Sequence, residues 1–166
     1  INVPIQFKFV QEGNYLKGYS WKINEVIGIP GDNSSTNKSE TTAKPGEKVS
    51  IGEGWSIIVS SLSDYTSTNE FEQPDDGNKF VAVELQYFND SDKSDTANPS
   101  NLTLRDSDGH SYDMTFMASK KPDFTGSDTV TAKGTLKGWV TYEVPKTATI
   151  TKSVYANSYA TVTINY

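Results

Sequence analysis

Two segments in which every second residue is apolar constrain the fold of this chain most strongly. They lie at residues 79–88 (KFVAVELQYF) and 138–145 (GWVTYEVP). Successive side chains of a β-strand point to opposite faces, so each segment predicts a strand with one buried face. We expect both to be central strands of a two-sheet sandwich. The apolar positions are Val81, Val83, Leu85 and Tyr87 in the first segment and Val140, Tyr142 and Val144 in the second.

The rest of the chain carries further short strand patterns, separated by turn residues. The Asp108-Gly109 dipeptide predicts a hairpin that pairs residues 102–104 with residues 110–116. No window keeps a helical apolar period of about 3.6 residues, and β-branched and aromatic residues are favoured. At 166 residues the chain suits one domain. These features predict an all-β antiparallel sandwich.

The first 43 residues differ in pattern from this core. Residues 1–10 and 19–29 alternate and predict an additional N-terminal β-hairpin within residues 1–30. Residues 31–43 contain no large apolar residue, which predicts a mobile polar loop. The predicted organisation is therefore a single sandwich domain over residues 1–166, with its core in residues 44–166.

Charge and composition argue against several classes of function. The net charge is −6 and the pI is near 4.8, whereas nucleic acids and anionic membranes require a basic face. There is no run of about 18 apolar residues and no signal-peptide pattern after Ile1, so no transmembrane segment is predicted. The absence of cysteine excludes disulfides, thiolate metal sites and a cysteine nucleophile. No cofactor is predicted.

The residues that might support catalysis form no complete constellation. His110 is the only histidine, and no Gly-x-Ser-x-Gly motif accompanies it, so we expect an exposed residue at a strand start. Glu84 and Glu143 lie on the outward faces of two strands that could be neighbours. Glycoside hydrolysis needs two carboxylates about 5 to 9.5 Å apart across a cleft, and the sequence indicates no such cleft. The chain is predicted not to be an enzyme.

An acidic turn offers a candidate metal site. Asp106, Asp108 and Asp113 have the oxygen density that Ca²⁺ prefers, and the segment begins like an EF-hand loop. It lacks the glutamate of the twelfth loop position and shows no helical pattern on either side. A tight hairpin turn needs Asp-Gly for its backbone geometry in any case. A calcium site and a solvated turn are therefore both open interpretations.

Aromatic residues in polar loops offer a candidate binding surface. The loops at residues 64–72 and 119–128 are predicted to expose Tyr65, Phe71 and Phe124. Isolated surface aromatics are normal, but aromatics on loops are also common anchors for sugars and protein partners.

Six short motifs occur in a fixed order from Lys44 to the end of the chain. Together they resemble the telokin-like, immunoglobulin-like domain of unknown function that occurs in secreted proteins and lipoproteins of Gram-positive bacteria. The resemblance implies an immunoglobulin-like sandwich at the cell surface, often behind an upstream lipid-anchored cysteine, without a catalytic motif. The motifs are Pro45-Gly46-Glu47, WSIIV at 55–59, GNKFVAVEL at 77–85, FNDSD at 88–92, LRDSDGHSY at 104–112 and KGWVTYEVP at 137–145.

Two hypotheses of function follow. The first is a non-catalytic extracellular or cell-surface module that binds a protein or glycan through its loops or an edge strand. The second is a structural, self-associating spacer domain that uses residues 1–29 as an assembly arm, because a hydrophobic hairpin on a long loop is suited to exchange between copies.

Overall fold

The computed structural model describes residues 7–12, 20–26, 38–124 and 126–166. These residues form fourteen strands and one short 3-10 helix, Pro99–Asn101. The strands are β1 (Phe7–Glu12), β2 (Ser20–Val26), β3 (Ser39–Ala43), β4 (Lys48–Gly52), β5 (Trp55–Val59), β6 (Ser63–Tyr65), β7 (Asn78–Asn89), β8 (Asp95–Ala97), β9 (Leu102–Asp106), β10 (Ser111–Tyr112), β11 (Asp128–Val130), β12 (Thr135–Pro145), β13 (Ile150–Ala156) and β14 (Ala160–Asn165).

Two sheets form the sandwich. The first has the strand order β10-β9-β13-β14-β3, and the second has the order β12-β7-β5-β4, with β6 also paired to β7. The central pair, β7 and β12, is antiparallel and continuous from Thr135 opposite Phe88 to Pro145 opposite Asn78. A further small sheet joins β8 and β11. The predicted immunoglobulin-like sandwich is confirmed, although one pair in it, β14 with β3, is parallel.

The core lies where the alternating positions of the two sheets meet. All seven apolar positions of the two defining segments are at most 4% exposed. Trp55, which is 9% exposed, belongs to this core. From the first sheet the core takes the apolar side chains of β9, β13 and β14: Leu102, Leu104, Tyr155, Val162 and Ile164. Period-two burial on both sheets is what a sandwich requires.

Two buried tyrosines connect the sheets through their hydroxyl groups. Tyr142 on β12 donates to the backbone carbonyl of Leu102 at 2.9 Å, and Tyr87 on β7 donates to that of Asn98 at 2.8 Å. Burial raises the pKa of both phenols above the usual value. Each ring therefore fills the core while its polar atom stays satisfied.

The opposite face of the second sheet is also partly covered. Phe80 and Ala82 on β7 and Thr141 on β12 are buried there. The segment after β10 covers this region, since the Thr115 amide donates to the Thr141 carbonyl at 2.8 Å and Ala118 is buried. This cover explains why residues 80–83 are continuously buried rather than alternating.

The described contacts divide the chain into two compact units, residues 1–36 and 37–166. In the first unit β1 and β2 pair in antiparallel fashion, which confirms the predicted N-terminal hairpin. The single sandwich domain over residues 1–166 stays a prediction.

The predicted loop at residues 31–43 is wrong for residues 39–43, which form β3. This strand pairs with β14 from Ser39 opposite Ala160 to Ala43 opposite Ile164. Its first four residues are exposed and only Ala43 is buried, so the edge strand has no need of large apolar side chains. Residues 31–37 lie outside the described part of the chain.

The two adjacent isoleucines of β5 provide a direct test of this architecture. Ile57 is fully buried, whereas Ile58 is half-buried on the opposite face. We expect Ile57→Ala to lower the free energy of unfolding by about 2 to 5 kcal/mol through loss of apolar burial and cavity formation. The matched variant Ile58→Ala should lose about 1 kcal/mol or less. Equal losses in urea unfolding would contradict the assigned faces.

Candidate functional site

The acidic turn after β9 is organised by one carboxylate. Asp106 ends the strand, and its side chain is buried. Its Oδ1 accepts hydrogen bonds from the backbone amides of Asp108 at 3.0 Å and His110 at 2.9 Å. Its Oδ2 accepts from the Tyr112 hydroxyl at 2.7 Å and lies 3.0 Å from His110 Nδ1. Both oxygens are therefore engaged by the protein.

This arrangement sets the protonation of the turn. Burial of the Asp106 carboxyl raises its pKa, but the hydrogen bonds from Tyr112 and from the ring and amide of His110 outweigh burial and lower the pKa to about 2. The bond to Asp106 is also the main reason that the pKa of Tyr112 is raised to about 12. The Asp106 carboxylate stays ionised over a wide pH range.

The predicted calcium ligands are only partly brought together. Asp106, Asp108 and His110 place potential ligand atoms within 4.8 Å of one another, whereas Asp113 is not in this group. His110 is exposed, as expected for a strand-start residue. It provides the third potential ligand of this group, a role that the sequence had predicted for Asp113. Because the oxygens of Asp106 already accept four contacts from the turn, its evident role is to fix the backbone. A calcium role stays a prediction.

The structure places the three predicted binding aromatics in different environments. Phe71 is 83% exposed, as predicted, and Tyr65 is half-buried. The expected exposure of Phe124 is wrong, because it is 4% exposed and its ring lies edge-on to Tyr87 at 5.9 Å. The cause is Gly138 on β12, where a Cβ atom would lie 3.0 Å from the Phe124 ring. The missing side chain leaves the space that this ring occupies.

Two further apolar side chains, not identified from the sequence, accompany Phe71 at the surface. Phe116 is 70% exposed and Met117 is 64% exposed. The chain is linked near these residues, because the hydroxyl of Tyr65, at the end of β6, donates to the carbonyl of Ser119, two residues beyond Met117, at 3.1 Å. We call Phe71, Phe116 and Met117 the apolar loop face. Phe116 ends the segment predicted as the second hairpin strand and Met117 follows it, and no sequence pattern marked either as exposed.

The turn that carries Phe71 is held by side-chain hydrogen bonds. Glu72 accepts from the Ser67 hydroxyl at 2.7 Å and from the Asn69 amide at 3.1 Å. Asn69 Oδ1 in turn accepts from the Phe71 backbone amide at 3.1 Å. The exposed ring is thus displayed on a hydrogen-bonded turn.

The loop that carries Phe116 and Met117 is attached to the second sheet through Lys120. The Lys120 ammonium lies 3.4 Å from the centre of the Trp139 ring and 3.3 Å from the Ser63 hydroxyl. A cation over an indole face is a favourable contact. Lys120 therefore fixes the chain just beyond Met117 to the outer face of β12.

The two strand glutamates are engaged separately. Glu84 forms an ion pair with Lys137 at 2.9 Å. Glu143 accepts from the Asp75 amide at 2.7 Å and from the Asn78 side chain at 2.9 Å. Both carboxylates therefore have structural partners, and this arrangement gives no support to their acting as a catalytic pair.

The Asp106 turn generates a pH prediction. Its folded pKa of about 2 lies below the ordinary value of 3.8, so its contribution to stability is complete above pH 4 and is lost as the pH falls towards 2. We expect Asp106→Asn to be less stable than the wild type at pH 6, and the difference in free energy of unfolding should shrink between about pH 4 and 2. Urea unfolding measures it.

Asp108→Asn provides the control, because this neighbouring carboxylate is exposed. It should follow the pH profile of the wild type. If the difference between wild type and Asp106→Asn were constant from pH 6 to 2, the Asp106 network would not have the assigned role.

Several solved structures have a similar fold. The secreted protein MPT63 from Mycobacterium tuberculosis has 16% identity and a TM-score of 0.59, over 76% of this chain and 98% of that chain. An uncharacterized β-sandwich protein from Clostridium difficile has 12% identity and a TM-score of 0.52, over 77% and 95%. The putative lipoprotein ycdA from Bacillus subtilis has 12% identity and a TM-score of 0.53, over 75% and 38%. At these identities the likeness establishes the fold alone.

The sequence comparisons give the family. No curated protein matches the chain significantly. Within its described residues there is no helix with the length and apolar character needed to cross a membrane. A family model, the domain of unknown function DUF4352, matches residues 34–163. Since this match covers most of the sequence, the chain belongs to the DUF4352 family.

Proposed function

We propose that this chain is a non-catalytic module of the cell surface or extracellular space, and that it binds a protein partner through the apolar loop face. The location is supported by the resemblance to a secreted protein and to a putative lipoprotein. We also propose that the chain is a telokin-like domain of a Gram-positive bacterium and that a lipid anchor lies upstream of it.

The observation that carries the proposal is the exposure of three large apolar side chains on two loops that the hydrogen bond from Tyr65 to Ser119 links near their bases. Phe71, Phe116 and Met117 are 83%, 70% and 64% exposed. Large apolar side chains grouped at a surface are typical of interaction sites. Aromatic residues and methionine are enriched in protein interfaces, where a few anchors supply most of the binding energy.

The surroundings of this face also suit a protein partner. Charged groups lie around it, since Lys121 contacts Asp123 at 2.9 Å, Lys120 lies over Trp139 and Glu70 is the exposed neighbour of Phe71. An apolar centre with charges at its rim is the usual composition of a protein interface. A glycan would instead be expected to need hydrogen-bonding groups between the rings, and Phe116 and Met117 provide none.

The experiment is a capture of extracellular and surface proteins from the organism that carries the chain. Wild-type chain is compared with the triple variant Phe71→Ser, Phe116→Ser and Met117→Ser. We expect one protein to bind the wild type saturably, with affinity lowered by about tenfold or more in the variant, because two aromatic anchors are lost.

Tyr166→Ala is the matched control, since it removes another exposed aromatic ring that belongs neither to the apolar loop face nor to any other surface described below. It should retain the partner. Equal binding by wild type and triple variant, or capture of cell-wall polysaccharide alone, would contradict the proposal.

The N-terminal hairpin supports a second candidate function, self-association. Its register places Phe7 opposite Val26 and Phe9 opposite Ile23, so apolar residues occupy paired positions on both strands. A hairpin of two strands is marginally stable in water and needs a further strand or a packing surface. Another copy of the chain could provide that surface, as expected for an assembly arm within residues 1–29.

Size-exclusion chromatography with light scattering tests this candidate. A dimer of the full chain and a monomer of residues 37–166, which form a compact unit of their own, are the expected results. A full chain that is monomeric up to about 1 mM would exclude a functional self-association through the hairpin.

A further inference from the structure

A cleft opens between the two sheets at one end of the sandwich. Its inner part has a volume of about 170 Å³ and is lined from the second sheet by Ile51, Glu53 and Trp55 and from the first by Tyr155 and Tyr159. An outer depression of about 510 Å³ adjoins it and shares Glu53, Trp55 and Asp95 as lining residues. Together the two volumes fall within the range of about 300 to 1,000 Å³ that is typical of ligand sites. We call this the end cleft.

Aromatic rings form much of its inner wall. The Tyr87 ring lies edge-on to Trp55, with ring centres 6.2 Å apart, and to Tyr155, at 6.1 Å. All three are at least nine-tenths buried, whereas Tyr159 at the opening is 43% exposed. The end cleft therefore has a fixed aromatic interior and one accessible ring.

Hydrogen-bonding groups stand between these rings. Glu53 and Asp95 are exposed carboxylates, which accept hydrogen bonds and donate none. The Asn101 side chain donates to the Tyr155 hydroxyl in a long bond of 3.4 Å. Because Asn101 lines the cleft, its carbonyl oxygen is a further potential acceptor. This set of groups complements a ligand that carries several hydroxyl groups.

The charge of the cleft narrows the ligand class. The described residues that line its inner part include two carboxylates and no lysine, arginine or histidine, and the outer depression adds one carboxylate, Asp92, and one ammonium, Lys93, so carboxylates outnumber cations three to one. A hydrogen bond to Glu53, followed by the charge of Glu53, raises the pKa of the Tyr159 phenol, and Asp95 adds to the effect. Negative potential at the Tyr159 hydroxyl disfavours phosphates and acidic sugars. The charge of the cleft therefore favours ligands that are neutral or carry an amine.

The walls of the cleft are held in place before any ligand binds. Asn157 Oδ1 accepts from the Tyr159 amide at 2.9 Å, and its Nδ2 donates to the Ile51 carbonyl at 3.0 Å, which ties one sheet to the other. Tyr159 lies directly on the backbone of Gly52, where a Cβ atom would stand 2.5 Å from the tyrosine Cβ. Glu53 has a φ of 50°, a conformation that costs a non-glycine residue free energy. This turn aims its carboxylate at Tyr159.

We propose that the end cleft binds a neutral or amino sugar unit of a glycan, with a sugar face against the accessible ring of Tyr159 and its hydroxyl groups on Glu53, Asp95 and Asn101. The apolar faces of a sugar ring suit aromatic walls, and its hydroxyls suit acceptor-rich polar groups. The end cleft shares no residue with the apolar loop face, so this proposal goes beyond the protein-binding function and does not depend on it.

The test is an NMR titration of the full chain with the trisaccharide of N-acetylglucosamine, and in parallel with the trisaccharides of glucosamine and of galacturonic acid. We expect shifts confined to amides of the end cleft, with a Kd of about 0.1 to 10 mM for a neutral or amino sugar. The acidic trisaccharide should bind about tenfold more weakly or not at all.

Tyr159→Ala and Glu53→Gln should each weaken the sugar by about tenfold. Glu70→Gln, an exposed carboxylate on the loop of Phe71, is the matched control and should bind as the wild type does. An unchanged amide spectrum outside the cleft shows that a variant is folded. If Tyr159→Ala does not fold, the affinity of Glu53→Gln for the sugar alone tests the proposal.

Three results would overturn the proposal. The first is the absence of end-cleft shifts with both the neutral and the amino trisaccharide at about 10 mM. The second is tighter binding of the galacturonic acid trisaccharide. The third is sugar binding that Glu53→Gln and Tyr159→Ala leave unchanged. The protein-binding proposal would survive each of them, because it depends on the other surface.

Discussion

The pairing of β7 with β12 is the constraint on which the rest of the structure depends. Eleven consecutive residues of one strand face eleven of the other without a bulge. One face of this ribbon supplies Tyr87 and Tyr142, whose hydroxyls attach it to the opposite sheet. On the other face, Thr141 accepts a hydrogen bond from the Thr115 amide and Glu143 accepts one from the Asp75 amide, which holds the segments that carry Phe116 and Phe71. The apolar loop face is therefore carried by this rigid pair of strands, whereas the end cleft shares only Tyr87 with it.

The sequence was most informative where structure depends on neighbouring residues. Alternation such as Val81 to Tyr87 marks a half-buried strand because the period of two is a local property of the backbone. The strand at Ser39–Ala43 gave no such signal, because it depends on pairing with β14, more than a hundred residues away. Phe124 shows the same limit, since its burial depends on an absent side chain at Gly138.

The same contrast between local sequence signals and long-range contacts applies to the candidate sites. Asp106 and Asp108 could be predicted as neighbours because one turn contains them, and His110 joins them only through the fold of that turn. The end cleft had no signature, because its walls come from residues 51–55, 95–101 and 155–159 on different strands. Sequence reasoning finds acidic or aromatic residues within one loop, but not a cavity formed where two sheets separate.

In both proposed binding surfaces, hydrogen bonds within the chain hold the loops in place before a partner binds. Asn69 and Glu72 hold the turn of Phe71, and Asn157 holds Tyr159 against Gly52. Binding ordinarily costs free energy to immobilise loops and side chains, and a surface fixed in advance avoids part of that cost. A small sandwich without disulfides can thus present binding groups on its connections. Short side-chain to backbone hydrogen bonds supply the order that a larger core would otherwise have to impose.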